Sequence, residues 1–227
     1  MPEQLGFELP GVTALDRADF LVAPSNAIAV AMIEGWQSWS GAKLLLTGPE
    51  GSGKTHLAHV WADLSGATIC AANTLATQDI PTLSQGCVAV EDVPLIAADP
   101  AAQEALFHLH NMVLAEGHAL LFTGCGAPTH WQLTLPDLES RICGTQAVKL
   151  EAPDDALLSA VLAKLFADRQ VTPKPDVIPY LILRMDRSFA AARKVVARLD
   201  AASIAQKRPV TRRLAADTLD NEEPLAR

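Results

Sequence analysis

The chain has 227 residues, enough for one domain or one domain with a smaller companion. Hydrophobic residues make up 49% and aromatics 5%, a mix that suits helices packed on a sheet and argues against an all-β sandwich. The N-terminus lacks a basic start followed by an apolar run, no stretch of about 18 apolar residues occurs, and Cys70, Cys87, Cys125 and Cys143 show no C-x-x-C spacing; these absences speak against a secretory signal, a spanning helix and a thiolate metal site, and point to small buried cysteines in a reducing compartment, the cytoplasm.

The chain opens on "MPEQLGFELPG", in which Leu5, Phe7 and Leu9 are apolar anchors and Gln4 is a polar neighbour. The first helix-like pattern starts only near Ser25, so residues 1–17 read as a flexible leader. Short apolar runs follow at 42–48, 67–70, 87–90, 119–124 and 147–150, separated by helix-like segments. On one such segment Leu57, Val60, Trp61 and Leu64 share a face; on another, Leu106, Leu109, His110 and Val113 do. Continuously apolar strands alternating with helices predict a five-stranded parallel sheet covered on both faces, an α/β class. After Pro153 the strands stop. Leu157, Val161, Leu162 and Leu165 mark one amphipathic helix, and 176–185, 188–204 and 211–219 read as three more. The predicted organisation is a base domain over 18–152, a helical lid over 153–220 and a tail over 221–227.

Charge divides at the same place. Residues 1–150 hold five Lys and Arg against 15 Asp and Glu, a net −10; residues 151–227 hold 13 against 11, a net +2. Each of the five early cations, Arg17, Lys43, Lys54, Arg141 and Lys149, therefore calls for an explanation. Lys207, Arg208, Arg212 and Arg213 form a short basic cluster near the end; it reads best as a solvated face, because an acidic tail follows and the whole chain carries −8.

"GPEGSGKT" (48–55) lies between the run at 42–47 and a helix over 54–64. That context makes Gly48, Pro49, Glu50, Gly51, Ser52, Gly53, Lys54 and Thr55 a phosphate-binding loop. Its glycines let backbone N–H groups turn inward, and the helix N-terminus adds partial positive charge. Lys54 reaches the outer phosphates, Thr55 offers its hydroxyl to Mg²⁺, and His56 follows in the first helical turn. "CVAVEDV" (87–93) ends a second strand on two acids. Glu91 is placed to hold Mg²⁺ and Asp92 to orient a water. Glu91 is one methylene longer than the commoner Asp, which speaks for weak turnover. The expected ligands are ADP or ATP with Mg²⁺.

Several segments together resemble the AAA+ class and its DnaA branch, from about Phe20 to Leu219. "ADFLVAPSNAIA" (18–29) resembles the block before the phosphate loop, whose Pro24, Ser25 and Asn26 turn would sit by the adenine. "LLFTGCGAP" (120–128) is similar to the sensor 1 strand, with Cys125 and Gly126 where relatives often carry polar residues and only Thr123 offering a hydroxyl. "LPDLESRI" (135–142) resembles the Leu-x-Ser-Arg segment, which implies that Arg141 is an exposed arginine finger acting on a neighbouring subunit; on the residues alone, a surface ion pair with Asp137 or Glu139 is the favoured reading. "MDRSFAAARKVVARLD" (185–200) resembles the sensor 2 helix, which implies that Arg187 reaches the β- and γ-phosphates and leaves an ion pair with Asp186 as the plainer alternative.

The initiators of this branch carry a further DNA-binding domain, whereas this chain ends at "DTLDNEEPLAR". The resemblance is thus to a short regulatory member. It implies that Gln4, Leu5, Phe7 and Leu9 dock on the DNA polymerase III sliding clamp (its β subunit), that DnaA is the partner, that DNA is met through the clamp, and that self-association is open. Two other classes remain: an autonomous ATPase of the helicase-loader or clamp-loader type, and a shortened initiator that binds origin DNA through its lid.

Overall fold

The computed structural model describes residues 21–220. The peptide bearing Gln4, Leu5, Phe7 and Leu9 lies outside the described residues. Five strands, β1 (Lys43–Thr47), β2 (Thr68–Ala71), β3 (Val88–Glu91), β4 (Leu120–Gly124) and β5 (Ala147–Lys149), form one parallel sheet in the order β2-β3-β4-β1-β5. Each begins or ends within one residue of its predicted apolar run.

The two-residue period of a strand explains why these runs are apolar throughout. Leu45, Val88, Val90, Leu120 and Phe122 point to one face, and their alternates Leu44, Leu46, Ala89 and Leu121 to the other; all are fully buried. The first face is covered by α4 (Pro100–Ala115) and α5 (Pro136–Cys143) through Leu106, Leu109, Val113, Leu138 and Ile142. The second is covered by α1 (Ala27–Glu34) and α2 (Lys54–Ser65) through Ile33, Leu57, Val60 and Trp61. Trp61 stacks on Trp39 with ring centroids 5.2 Å apart. Leu64 departs from the predicted apolar face: it sits in the last turn of α2 and is 48% exposed. A one-turn helix, α3 (Ile80–Leu83), precedes β3.

Helix starts follow local chemistry. Asp99, Asp154 and Ser188 each accept a hydrogen bond from the backbone N–H three residues on, which caps α4, α6 (Asp155–Asp168) and α8 (Phe189–Gln206). With α7 (Val177–Ile182) and α9 (Arg212–Asp220), α6 and α8 enclose a separate core of Leu158, Leu162, Phe166, Leu181, Val196 and Leu214. The helix predicted over 176–185 stops at Ile182, because the chain turns there to bring Ser188 to the base. Among the described residues no helix is long and apolar enough to cross a membrane.

The cysteines correct one expectation. Cys70 and Cys87 are half-buried in or beside the sheet, but Cys125 and Cys143 are exposed, because Cys125 lies just past the end of β4 and Cys143 is the last residue of α5.

Candidate functional site

Because the strands are parallel, β1, β3 and β4 end on the same edge of the sheet; Thr47 lies opposite Gly124, and β3 pairs with β4 from Val88 to Val90. Three of the predicted motifs leave from this edge, where ligands bind in open parallel sheets.

The phosphate loop fills the step from β1 to α2. At Gly48 a Cβ would stand 2.6 Å from the Leu150 carbonyl oxygen and 2.8 Å from Ser52 Oγ, so only glycine fits. Gly51 has φ +70°, and a Cβ there would meet Ser188 Cβ at 2.4 Å. Lys54 opens α2, is 7% exposed, and donates from Nζ to the carbonyl oxygens of Gly48 at 3.0 Å and Pro49 at 2.8 Å. Its ammonium thus lies inside the curl of the loop. Ser52 is buried at 2% exposure with Oγ unpartnered among the described residues. Thr55 is exposed and His56 half-buried at the start of the helix. A cradle that a Cβ would fill, a buried amine and an orphaned hydroxyl fit a polyphosphate.

The acidic pair occupies the end of β3. Glu91 is half-buried, and its Oε1 has no hydrogen-bond partner among the described residues. Such an orphaned oxygen fits a hydrated Mg²⁺, which is held by one or two carboxylates together with phosphates. Asp92 is exposed and left-handed at φ 54°, and its N–H donates to Thr123 Oγ1 at 3.1 Å. The Thr123 hydroxyl therefore tethers the turn that carries both acids. Burial, and secondarily the charge of Glu91, push the Cys70 thiol up to about 11, which keeps it protonated.

Cys125 is the residue whose position sequence reasoning missed. It was notable only as a departure from a resemblance, yet its Sγ lies 3.5 Å from Lys54 Nζ. Trp131 Nε1 donates to the Cys125 carbonyl oxygen at 2.8 Å and fixes the loop. No signal in either segment foretold the contact, since 71 residues separate the pair.

The Pro24, Ser25 and Asn26 turn leads into α1, which packs on α2 and β5. Asn26 spends its side chain on its own turn: Oδ1 accepts from Ala23 N–H at 2.8 Å and Nδ2 donates to the Leu21 carbonyl oxygen at 2.9 Å. Ser25 Oγ is buried and unpartnered among the described residues.

The helical unit reaches the site through backbone: Phe189 N–H donates to the Gly51 carbonyl oxygen at 3.0 Å. Arg187, two residues earlier, is exposed and forms an ion pair with Asp155 at 2.6 Å and a hydrogen bond to the Pro153 carbonyl oxygen at 3.2 Å. The ion-pair partner is thus Asp155 at the start of α6 and not the neighbouring Asp186.

Arg141 stands apart from this edge. It lies in the last turn of α5, half-buried, with its guanidinium 4.8 Å from the centre of the Phe107 ring. The expectation of an ion pair with Asp137 or Glu139 fails, because both acids point to solvent from the first turn of α5 while Arg141 faces α4; among the described residues Arg141 forms no ion pair. Full exposure also fails, since Phe107 covers one side of the group.

No family model matches the chain. In fold it is similar to domain III of the Thermotoga maritima replication initiation protein DnaA, with a TM-score of 0.79 at 17% identity over 91% of this chain and 96% of that one. It is also similar to the AMPPCP-bound DnaA of Aquifex aeolicus, with a TM-score of 0.68 at 16% identity over 78% of this chain and 62% of that one. A Thermotoga maritima RuvB variant gives a TM-score of 0.65 at 15% identity over 86% of this chain and 67% of that one. The parallel sheet in the order β2-β3-β4-β1-β5, the loop that leaves β1 and the trailing helical unit are thus the AAA+ P-loop fold shared by DnaA domain III and RuvB.

Proposed function

We propose that this chain is a nucleotide-binding AAA+ regulator of replication initiation of the Hda type, which docks on the sliding clamp and stimulates hydrolysis of ATP bound to DnaA. The observation that carries the reading is the joining of a complete phosphate loop to a DnaA-like fold across 91% of the chain. Two features support the finer assignment. Gln4, Leu5, Phe7 and Leu9 supply a short apolar peptide suited to a groove on the clamp, with affinity on the order of micromolar because ordering the segment opposes binding. Arg141 lies away from the chain's own phosphate loop, as a cation that acts on a neighbour's nucleotide must.

In this reading Lys54 and the loop N–H groups hold the phosphates of ADP or ATP, Thr55 and Glu91 hold Mg²⁺, and the bound ion neutralises phosphate charge. Asp92 is placed to orient water, with its turn held by Thr123. Arg187 senses the phosphates from the lid once it leaves Asp155. Arg141 stabilises charge on the phosphate of DnaA-bound ATP, for which a planar, permanently charged group is suited. The AMPPCP of the Aquifex aeolicus DnaA structure supports nucleotide as the ligand of this fold.

The test is hydrolysis of DnaA-bound ATP on clamp-loaded DNA, with and without this protein. Arg141→Ala and the double variant Gln4→Ala/Leu5→Ala are each expected to remove the stimulation. Steady ATP turnover by the isolated chain, lost in Lys54→Ala and without any effect on DnaA, replaces the reading with an autonomous ATPase.

A further inference from the structure

Two of the five cations of residues 1–150, Lys43 and Arg141, are brought into one electrostatic neighbourhood although 98 positions separate them in the chain. Lys43 opens β1 and is half-buried. Its Nζ lies 3.3 Å from Nε2 of His110, which is 3% exposed on α4. His110 Nδ1 lies 3.4 Å from Asn111 Oδ1, and the ring is stacked parallel to Phe122. This arrangement requires the Nδ1–H tautomer, so that Nε2 accepts from the ammonium and Nδ1 donates to the amide oxygen. Phe107, one turn before His110, carries the guanidinium of Arg141.

The charges of this cluster are unbalanced. Neither Lys43 nor Arg141 forms an ion pair among the described residues, and Arg141 Nε is buried without a hydrogen-bond partner there. Burial first, and the charge of Arg141 second, hold the Lys43 amine below its usual range. Burial first, then Lys43, with a lesser part from Arg141, bring His110 down to about 4, so its ring is neutral at pH 7. A neutral imidazole takes one of the three donors of Lys43, and the ring of Phe107 takes none of the in-plane donors of Arg141. Several N–H donors on two like charges, the buried Arg141 Nε among them, are therefore left without a protein acceptor among the described residues. A group bearing two negative charges and several acceptor oxygens matches that demand, and phosphate does so best because guanidinium meets it in bidentate fashion.

The phosphate cannot be the one held by this chain's own loop. Lys43 is at the entry of β1 and the loop leaves its far end after Thr47, about 13 Å away at the ~3.3 Å rise of a strand residue. We propose that Lys43 and Arg141, backed by His110, form a second phosphate-binding seat at the seam between α4 and α5, which takes the terminal phosphates of a nucleotide carried by an adjoining subunit. Lys43 is then a partner of Arg141 in charge stabilisation, and His110 is the positioning residue that holds its ammonium. For the source of the phosphate this rests on the trans-acting reading of Arg141; for the seat itself it does not.

Histidine NMR on the full chain tests the seat with inorganic pyrophosphate as the probe. His56 reports on the phosphate loop and His110 on the seam. Saturable movement of the His110 signals, weakened at least tenfold by Lys43→Gln and by Arg141→Gln while the His56 response persists, supports the proposal. His110 signals that stay still as His56 moves, or that move equally in both variants, overturn it. The persisting His56 response also shows that the variants are folded. Hydrolysis of ATP on DnaA then separates the sources. A tenfold loss of stimulation in Lys43→Gln, restored by Lys43→Arg, supports an adjoining nucleotide. Full stimulation in Lys43→Gln, with loss in Arg141→Gln, overturns the pairing of the two cations and leaves the finger reading standing. If wild-type protein gives no stimulation, the trans-acting reading falls, and a His110 response to pyrophosphate supports a seat for a free phosphate group.

Discussion

The backbone N–H of Phe189 donates to the carbonyl oxygen of Gly51 at 3.0 Å, so the first turn of α8 rests directly on the phosphate loop. In the proposed reading, nucleotide binding and the position of the helical unit are coupled through this contact. In Gly51→Ala the new methyl has φ +70° to contend with and Ser188 Cβ at 2.4 Å. The lid must move or the loop must flatten. ADP affinity, read by titration with a fluorescent analogue, is expected to fall about tenfold or more, corresponding to ~1.4 kcal/mol. Unchanged affinity means the lid contact is incidental to binding.

Arg187 and Asp155 make opposite predictions. Their 2.6 Å ion pair is between side chains 49% and 67% exposed, so it contributes little to stability. Its consequence is to hold the guanidinium at the hinge. Asp155→Asn releases Arg187 and is expected to tighten nucleotide binding about twofold to threefold, while Arg187→Ala weakens it by a similar factor, with Tm nearly constant in both. Weakening by both variants shows instead that the pair orients the lid.

Gln103 ties three segments together although its signal in the sequence is slight. It is fully buried; Nε2 donates to the carbonyl oxygens of Ile96 and Ala97, and Oε1 accepts from the N–H groups of Thr134 and Leu135. The last contact sets where α5 begins and hence where Arg141 points. Gln103→Leu strands four backbone groups and is expected to cost on the order of 2–4 kcal/mol in urea unfolding. A cost under about 1 kcal/mol shows that water replaces the amide.

His110 predicts an acid-sensitive base domain. Its pKa is about 4 when folded and near 6.5 when unfolded. Both states are neutral above pH 6.5, so the group contributes nothing there. Between pH 6.5 and 4 the unfolded state binds the extra proton, and stability falls as the pH falls, by on the order of 3 kcal/mol in all. His110→Gln is expected to flatten this part of the profile in urea midpoints measured from pH 7.5 to 4.5. Parallel profiles for the two proteins place the acid sensitivity elsewhere.

The strands and the phosphate loop were legible because their causes are local. A strand buried on both faces must be apolar without interruption, as Leu44, Leu45 and Leu46 are. A loop that curls around phosphate needs glycine where a Cβ collides, as at Gly48 and Gly51. Arg141 was singled out by resemblance, but its surroundings were not foreseen.

What the sequence by itself determined is therefore the apolar period, the turn chemistry and the order of elements, all set by interactions within a few residues. Only the tertiary structure decided that Cys125 lies against Lys54, that Phe189 meets Gly51, and that Lys43, His110 and Arg141 share a seam. These contacts depend on which helix covers which face of the sheet and on how far a strand carries the chain before it turns. That choice is made by the packing of the two buried faces as a whole, and no short stretch of residues contains it.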